Sequence, residues 1–425
     1  MNEDFLHYIW TYRLFDDQNL FSDQGHRLCL IDTGRLNRDS GPDFFEARIE
    51  IDGLLWVGNV EIHLKSSDWY KHHHDSDAAY NNVILHVVYE NDVDVVLSNG
   101  RLLPCLKLEI SEQYLDRYQS LMSSQLWIPC QRDIPKLNNF FVSHWLDRML
   151  LERLERKAVG IKQMYHQNSN SWEETFYQVL ARYFGMKLNA DPFEQLARSI
   201  PLKILAKQKN SPLQLEAILF GQAGFLHDSN LSDPYYSKLQ AEYNFLRNKF
   251  DLKPLEKGRW KFMRLHPVNF PTVRIAQLAN LIYKSQSLFS KIIQIENVAD
   301  FHTLLQVEAS QYWLTHYRFG EKADYKPKVL GQATVDVLII NAIVPILFVY
   351  GKEIGNPIYV DRALFILESL KSEKNRIVNG WKEIGIQLKS AYHSQSLLHL
   401  KSEYCNAYRC LECELGNRII RSEQM

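Results

Sequence analysis

The sequence predicts two parts: a small domain with a mixed sheet, α+β or α/β, at residues 1–128, followed by a large all-α domain at residues 129–425. Two observations carry this prediction. Alternating strand-like runs joined by tight turns fill the first part, whereas apolar residues recur at helical intervals from Phe140 onward. Between them lies WIPCQRDIPKLNN, whose two prolines are typical of a domain boundary.

The first part begins with EDFLHYIWTYRLF, which reads as a short amphipathic helix over residues 3–15. The dipeptides Asp52-Gly53 and Asn99-Gly100 are strong hairpin-turn signals between strand-like runs. The segment 66–82 is polar and is expected to be partly helical. The predicted strands are 27–33, Phe44–Ile51, Leu54–Lys65 and 83–89, with weaker ones at 93–97 and 102–108.

The second part is predicted to be helical at 171–184, 212–223, 235–250, 272–285, 334–350 and 361–370. Its most apolar run, VLIINAIVPILFVY, is too short to span a bilayer and contains Asn341 and Pro345, which favours a buried helix. The chain opens on an acidic stretch without the pattern of a signal peptide. We therefore expect a cytoplasmic protein with no membrane partner.

Charge is divided unevenly along the chain. Residues 1–130 hold 10 Lys and Arg against 21 Asp and Glu, a net charge of −11, and the remainder carries +10. An acidic part attracts cations, and a basic part suits a polyanion such as nucleic acid. Mutual attraction between the two parts explains the same asymmetry, so both interpretations remain open.

The stretch SGPDFFEARIEIDGLLWVGNVEIHLK combines a hairpin with acids. Alternation along the second strand places Glu61, His63 and Lys65 on one face, and the Asp-Gly turn returns that strand toward Asp43. Two carboxylates at one place repel each other unless a cation lies between them, and Mg²⁺ or Mn²⁺ accepts such oxygen ligands. The alternative is structural: Asp43 closes a turn, and Glu61 and His63 line the solvent face of an edge strand.

This arrangement resembles the PD-(D/E)xK nuclease superfamily. Pro42-Asp43 matches the acid that precedes a strand, and Glu61-Ile62-His63 matches the paired strand, with His63 where lysine is usual. The resemblance covers about residues 1–110 and implies a restriction-endonuclease-like fold. It implies catalytic roles for Asp43, Glu61, His63 and Lys65, and an accessory acid at Glu3 on the first helix.

A second cluster of metal-capable residues lies in KHHHDSD and in the strand VILHVVYE. A Zn²⁺ site built from His63, His72 or His74, Asp75 and His86 is an alternative that would suit a hydrolase. A solvated loop for 72–74 and a core histidine at position 86 are the structural interpretations.

Six cysteines occur, and three of them lie within EYCNAYRCLECELG. The spacing of Cys405, Cys410 and Cys413 is typical of a metal or iron–sulfur site, with Cys130 as the candidate fourth ligand. Some nucleases of the PD-(D/E)xK superfamily have a similar layout around an iron–sulfur cluster. Zn²⁺ fits nearly as well, and unligated thiols are the structural alternative.

The whole chain also resembles a bacterial family of domains of unknown function. The likeness lies in NRDSGPDF, GNVEIHLKSSDWYKH, VILHVVYE, HPVNFPTVRIAQLA and EYCNAYRCLECELG. It implies one evolutionary unit and no particular activity. In the fourth stretch, His266 and Arg274, with Arg264 upstream, are candidates for binding a phosphate near a helix start, or else they close a loop onto the helical core.

These observations lead to the hypothesis of a metal-dependent nuclease, or a nuclease-like protein that binds nucleic acid. Asp43 and Glu61 would hold the ion, and the basic domain would contact the phosphate backbone. The alternatives are a non-catalytic scaffold that keeps a nuclease-like fold, and a zinc hydrolase that uses the histidines.

Overall fold

The structure is a computed structural model, and it describes residues 1–228, 231–285 and 287–421. The chain divides into two compact units. Unit 1 comprises Met1–Trp145 together with Leu400–Met425, and unit 2 comprises Leu146–His399. A mixed sheet in the N-terminal part and a helical second part are thus confirmed. The structural boundary lies after residue 145 instead of 128, and the cysteine-rich end of the chain belongs to the unit that contains the sheet.

The sheet of unit 1 has seven strands in the described part of the chain. Strands β2, β4 and β5 form an antiparallel meander, and β6 and β7 then pair in parallel with β5 and with each other. Short strands β1 and β3 pair with β2 and β4. The strands are β1 Leu20–Phe21, β2 Arg27–Asp32, β3 Arg35–Leu36, β4 Phe44–Ile51, β5 Leu54–Lys65, β6 Val83–Glu90 and β7 Cys105–Lys107.

The hairpin of β4 and β5 is built as the Asp-Gly signal predicts. Ile51 pairs with Leu54, and both turn residues are left-handed, with φ of 51° at Asp52 and 82° at Gly53. Such a two-residue turn matches the twist of the flanking strands and fixes their register. The register shifts between Phe44 and Ala47, where Glu46 has φ of 60°, so β4 carries a bulge close to its start.

Three helices of unit 1 are α1 Glu3–Thr11, α2 Asp68–Lys71 and α3 Glu112–Met122. Helix α1 is capped by the side chain of Asn2 and buries Phe5, Leu6 and Ile9 completely. It packs against β5, the strand that carries Glu61 and His63. The predicted helix over 3–15 therefore exists but ends four residues earlier, because the chain turns at Arg13, whose φ is 50°.

The helices that follow begin with α4 Asn139–Gln167, which crosses the unit boundary. Those of unit 2 are α5 Trp172–Phe184, α6 Ala190–Ser199, α7 Leu202–Lys207, α8 Pro212–Gln222, α9 Pro234–Phe250, α10 Pro271–Lys284, α11 Leu288–Ile292, α12 Val298–Leu305, α13 Gln332–Leu338, α14 Val344–Glu353, α15 Pro357–Ser369, α16 Arg376–Glu383 and α17 Ala391–His399. A π-helical turn, Ile339–Ile343, joins α13 to α14. A last helix, α18 Glu414–Arg421, belongs to unit 1.

The continuous helical segment Gln332–Glu353 is long and apolar enough to cross a membrane by those two criteria alone. However, 67% of the most apolar 18-residue stretch of this segment is buried inside the protein. Its side chains belong to the large hydrophobic core of unit 2, together with Phe220 and Trp313. This burial is the pattern of a core helix, as the interruption by Asn341 and Pro345 predicts.

The charge asymmetry follows the two units. By sequence, unit 1 holds 16 Lys and Arg against 26 Asp and Glu, whereas unit 2 holds 33 against 24. The net charges are therefore −10 and +9, so the return of the C-terminal segment to unit 1 changes the balance only slightly.

Candidate metal centre in unit 1

The loop before β4 presents Asp43 at the sheet. Asn37 organises this loop, because its side-chain amide donates to the carbonyl oxygens of Asp39, Ser40 and Pro42. The backbone N–H of Asn37 also donates to the carbonyl of Asp43 at 2.7 Å. The conformation requires φ of 101° at Gly41, which glycine adopts without strain. The stretch NRDSGPDF thus builds a rigid turn that ends in a fixed carboxylate.

Asp43 and Glu61 are interlocked through the backbone. The N–H of Asp43 donates to Oε2 of Glu61 at 3.0 Å, and the N–H of Ile62 donates to Oδ2 of Asp43 at 2.9 Å. Each carboxylate therefore has one oxygen held by an amide, which leaves Oδ1 of Asp43 and Oε1 of Glu61 as the oxygens available to a cation. Glu61 is only 4% exposed, so its charge requires compensation nearby.

His63 lies on the same face of β5 as Glu61 and is 2% exposed. Its Nδ1 is 2.9 Å from Nε2 of His86 on the neighbouring strand, and its Nε2 is 3.5 Å from Oε1 of Glu61. The close pairing of β5 with β6 depends on Gly58, since a Cβ there would lie 2.4 Å from the side chain of Ile84. His86 therefore orients the ring of His63 from the interior, and Nε2 of His63 points toward the carboxylate.

The loop after α2 brings His72 and His74 to the same place. His73 between them has φ of 63°, and this left-handed residue turns the chain. As a result, Nδ1 of His72 lies 3.1 Å from Nε2 of His63, and Nε2 of His74 lies 3.2 Å from Oε1 of Glu61. The ring of His74 stacks on Tyr80, with centroids 3.8 Å apart. Tyr80 and Trp69 belong to a small hydrophobic cluster that anchors this loop.

Helix α1 adds two further groups, Glu3 and His7, which lie one turn apart. Nε2 of His7 is 3.1 Å from Oδ2 of Asp43, and Glu3 interacts electrostatically with Asp43 and His72. The sequence pattern indicated Glu3 but not His7. Its position four residues after Glu3, on the same helix face, was the signal that would have indicated it.

The donor set fits a divalent cation. In the described part of the chain, His63, His72 and His74 offer ligand atoms that all lie within 4.8 Å of one another. Ligands bound at about 2.1 Å in a tetrahedral site are about 3.4 Å apart. The contacts of His63 with His72 and of Glu61 with both His63 and His74, at 3.1–3.5 Å, match that spacing.

The protonation states also suit metal binding. Burial, reinforced by the neighbouring imidazoles, lowers the pKa of His63 to about 2, and burial lowers the pKa of His86 to about 3. Both rings are therefore neutral at physiological pH, as a metal requires of imidazole. Burial raises the pKa of Glu61, although a hydrogen bond from His74 opposes this shift. Burial lowers the pKa of His7, but the carboxylate of Asp43, 3.1 Å from its Nε2, outweighs burial, so the pKa of His7 is raised.

His86 is expected to act by orienting His63. Replacing it with leucine keeps bulk in the buried site but removes the contact at Nδ1 of His63. Loss of such an outer partner costs about 10–100-fold in metal affinity. We therefore expect a drop of that size for His86→Leu in calorimetric titrations with Mn²⁺ or Zn²⁺. His73→Asn is the control, because asparagine tolerates the left-handed backbone and His73 is exposed; equal affinities for both variants would contradict the role of His86.

Lys65 does not join the carboxylates. Its ammonium lies 2.8 Å from Oε2 of Glu90, and both side chains are about half exposed. Strand alternation places Lys65 on the predicted face, but β5 reaches the protein surface at this point, as its burial pattern shows. Asp75 is likewise outside the group of three histidines.

The predicted phosphate-binding residues of unit 2 differ in exposure. Arg264 and His266 are exposed, whereas Arg274 is 3% exposed. The guanidinium of Arg274 donates to Asn269, Gln277 and Thr334 at 2.6–3.1 Å. Arg274 thus ties the HPVNF turn to the helical core, which is the structural alternative considered for this stretch, and its position does not allow contact with an external phosphate.

The four predicted cysteine ligands all belong to unit 1. Cys130, Cys405, Cys410 and Cys413 are all buried, and each thiol interacts electrostatically with the other three.

Comparisons with known proteins agree with a single evolutionary unit. Searches of curated proteins and of solved structures found no match. A model of a protein family described as "Protein of unknown function (DUF2851)" matches residues 3–376. This match includes the hairpin, the histidines and the HPVNF stretch, and it ends before the three C-terminal cysteines. Because the match covers most of the chain, the protein belongs to the family DUF2851.

Proposed function

We propose that this protein is a metal-dependent hydrolase of phosphodiesters, a nuclease whose metal centre lies in unit 1. The observation that carries the proposal is the convergence of two interlocked carboxylates and three imidazoles on β5 and its neighbouring loops. The resemblance to the PD-(D/E)xK superfamily supports it, since Asp43 precedes one strand and Glu61-x-His63 lies on the strand paired with it. A restriction-endonuclease-like fold for unit 1 is part of the same proposal.

The donor set indicates which ion to test first. Mg²⁺ prefers oxygen ligands, whereas imidazole suits transition ions. With His63, His72 and His74 beside Asp43 and Glu61, Mn²⁺ is favoured over Mg²⁺ for the nuclease. A divalent ion in such a site supplies polarisation of a phosphate oxygen and a nucleophilic water at neutral pH.

The residues of the chain have separate roles in this proposal. Asp43 and Glu61 hold the ion, and His63 takes the position of the lysine in the superfamily pattern as a metal ligand. His7 lies beside Asp43, whose carboxylate raises the pKa of the imidazole, and is the group that would protonate the leaving oxygen. Glu3 is the accessory acid. Lys65 is assigned no role in this proposal, because its ammonium pairs with Glu90 at the surface.

The helical unit would supply the charge for a polyanion. Its net charge of +9 and the exposed Arg264 and His266 support contacts to phosphates. Affinity for nucleic acid should then fall steeply with salt, whereas substitution of the buried Arg274 should act through stability.

Cleavage of single- and double-stranded DNA and RNA with Mn²⁺, after chelation, tests the proposal. Asp43→Asn should lower the rate by about 10³-fold or more, because the metal contributes several kcal/mol and each 1.36 kcal/mol is tenfold. Asp39→Asn, in the same loop but exposed, is the control. Absence of cleavage by the unaltered protein with any divalent ion, or equal rates for both variants, would refute the nuclease.

A zinc hydrolase is the second candidate, and the group of three histidine ligand atoms within 4.8 Å favours it. It predicts that Zn²⁺, and not Mn²⁺, restores activity after chelation, and that ester or amide substrates are cleaved in preference to nucleic acid. If the centre binds metal but none of these substrates is cleaved, the scaffold interpretation stands.

A further inference from the structure

Four cysteines that are distant in sequence form a second cluster of metal-capable groups in unit 1. Cys130 follows α3, and Cys405, Cys410 and Cys413 lie just before α18. All four side chains are 7–8% exposed, and none forms a disulfide. The loop that carries the last three lies against the segment before Cys130, since the hydroxyl of Tyr408 donates to the carbonyl of Ser124 at 2.7 Å and the ammonium of Lys401 lies over the ring of Trp127 at 5.2 Å. Among the described residues, no three of the four sulfurs lie within 4.8 Å of one another, although each thiol interacts electrostatically with the other three.

A tight turn joins the last two cysteines. The N–H of Cys413 donates to the carbonyl of Cys410 at 3.3 Å. This turn makes Cys410 and Cys413 neighbours on one short loop.

Gly416 makes this turn possible. A Cβ at this position would lie 2.2 Å from the carbonyl oxygen of Cys410, so no other residue allows the chain to pass so closely. The amide of Asn417 fixes the same loop by donating to the carbonyls of Leu411 and Cys413. The close backbone approach at Gly416 and the two hydrogen bonds from the Asn417 side chain therefore hold the loop in one conformation.

The four buried thiols cannot stabilise negative charge on one another. As thiolates they would repel one another, and a thiophilic cation removes that cost while satisfying each sulfur. We propose that Cys130, Cys405, Cys410 and Cys413 are the four thiolate ligands of an iron–sulfur cluster. Sulfurs on a single tetrahedral Zn²⁺ would lie about 3.8 Å apart, closer than in this arrangement. This centre is separate from the histidine site and does not depend on the proposed hydrolysis.

The position of the cysteines assigns the centre a structural role. It joins the end of the chain to the segment after α3, and α18 begins directly after Cys413. Helix α18 in turn contacts α1: the hydroxyl of Tyr8 donates to the carbonyl of Asn417, and Arg421 lies over the ring of Tyr12 at 4.5 Å. Because α1 carries Glu3 and His7, the cysteine centre supports the helix that borders the histidine site.

Metal content of the purified protein, prepared without oxygen, tests the proposal. Elemental analysis should find several irons per chain with visible thiolate–iron absorbance, beyond any metal at the histidines. Cys413→Ser and Cys130→Ser should lose this metal. Cys105→Ser, a buried thiol outside the cluster, should retain it. Asp43→Asn combined with Glu61→Gln should also retain it, which separates this centre from the hydrolytic one.

A second measurement does not depend on the folding of variants. A mercurial thiol reagent added to the unaltered protein should release the metal in step with modification of four thiols, and hydrogen exchange should then increase in α18 and in α1. If iron is absent after anaerobic preparation and reconstitution, the cluster does not exist, and one zinc per chain held by these cysteines would overturn the assignment to iron and sulfur. If metal is present but Cys413→Ser and Cys130→Ser retain it, the ligands are assigned incorrectly. If exchange in α18 and α1 is unchanged after release, the structural role is overturned.

Discussion

Glu61→Gln is expected to weaken binding of Mn²⁺ or Zn²⁺ at the histidine site by at least about 100-fold. Removal of an outer partner of a metal ligand already lowers metal affinity by about 10–100-fold. Glu61 is a charged group in direct contact with the histidine ligands, so its loss should have a larger effect. Its Oε1 lies 3.2 Å from His74 and 3.5 Å from His63. The glutamine still accepts the N–H of Asp43 through its carbonyl oxygen, so the variant removes charge and changes little else.

Calorimetric titration of the metal-free protein measures this effect. Glu90→Gln is the matched control, because Glu90 lies on the adjacent strand and pairs with Lys65 at the surface. A surface ion pair of this kind contributes about 0–1 kcal/mol, so the control should bind metal as the unaltered protein does. Equal affinities for both variants would show that Glu61 is a structural acid and would remove the basis for the proposed centre.

Gly221→Ala is expected to destabilise unit 2 by about 3 kcal/mol or more. Gly221 lies in α8, and a Cβ there would meet the ring of Tyr243 on α9 at 2.1 Å. The ring cannot move easily, since Tyr243 is 1% exposed and its hydroxyl donates to Gln222 at 3.1 Å. Overpacking a core typically costs about 1–3 kcal/mol, and a contact this short lies at the upper end or beyond it.

Thermal unfolding followed by circular dichroism measures this loss. For a unit of this size we expect the midpoint to fall by about 6 °C or more. Gly160→Ala is the matched control, because it is also a helical glycine but its Cβ would meet nothing within 4 Å. That variant should gain up to about 1 kcal/mol from helix propensity. If the unfolding midpoint rises in both variants, α8 and α9 do not pack closely at Gly221.

Local signals in the sequence predicted most elements of the fold. The β4–β5 hairpin has the predicted strands, Phe44–Ile51 and Leu54–Lys65, because Asp-Gly turns and alternating side chains act over a few residues. The predicted helix 334–350 corresponds to α13, the π-helical turn and α14. Of the two weaker strands, only Cys105–Lys107 forms a regular strand, and Val96 and Leu102 make an isolated bridge.

The candidate site was predictable only in part. Asp43, Glu61 and His63 follow from the hairpin, since pairing of two adjacent strands places them. His7 and the choice of both His72 and His74 depend on how α1 and the loop after α2 pack on the sheet. Exposure also decided the roles of Lys65 and Arg274: one pairs with Glu90 at the surface, and the other is buried among amides.

The sequence by itself determined the two-part organisation, the hairpin with its acids and the spacing of the cysteines, because these depend on local turns, periodicity and residue type. Only the tertiary structure decided that the chain end returns to unit 1, that its cysteine loop packs against the segment before Cys130, and that α1 and the histidine loop complete one site. These contacts join residues separated by tens to hundreds of positions, and their geometry follows from packing of the whole unit, which no short stretch of sequence specifies.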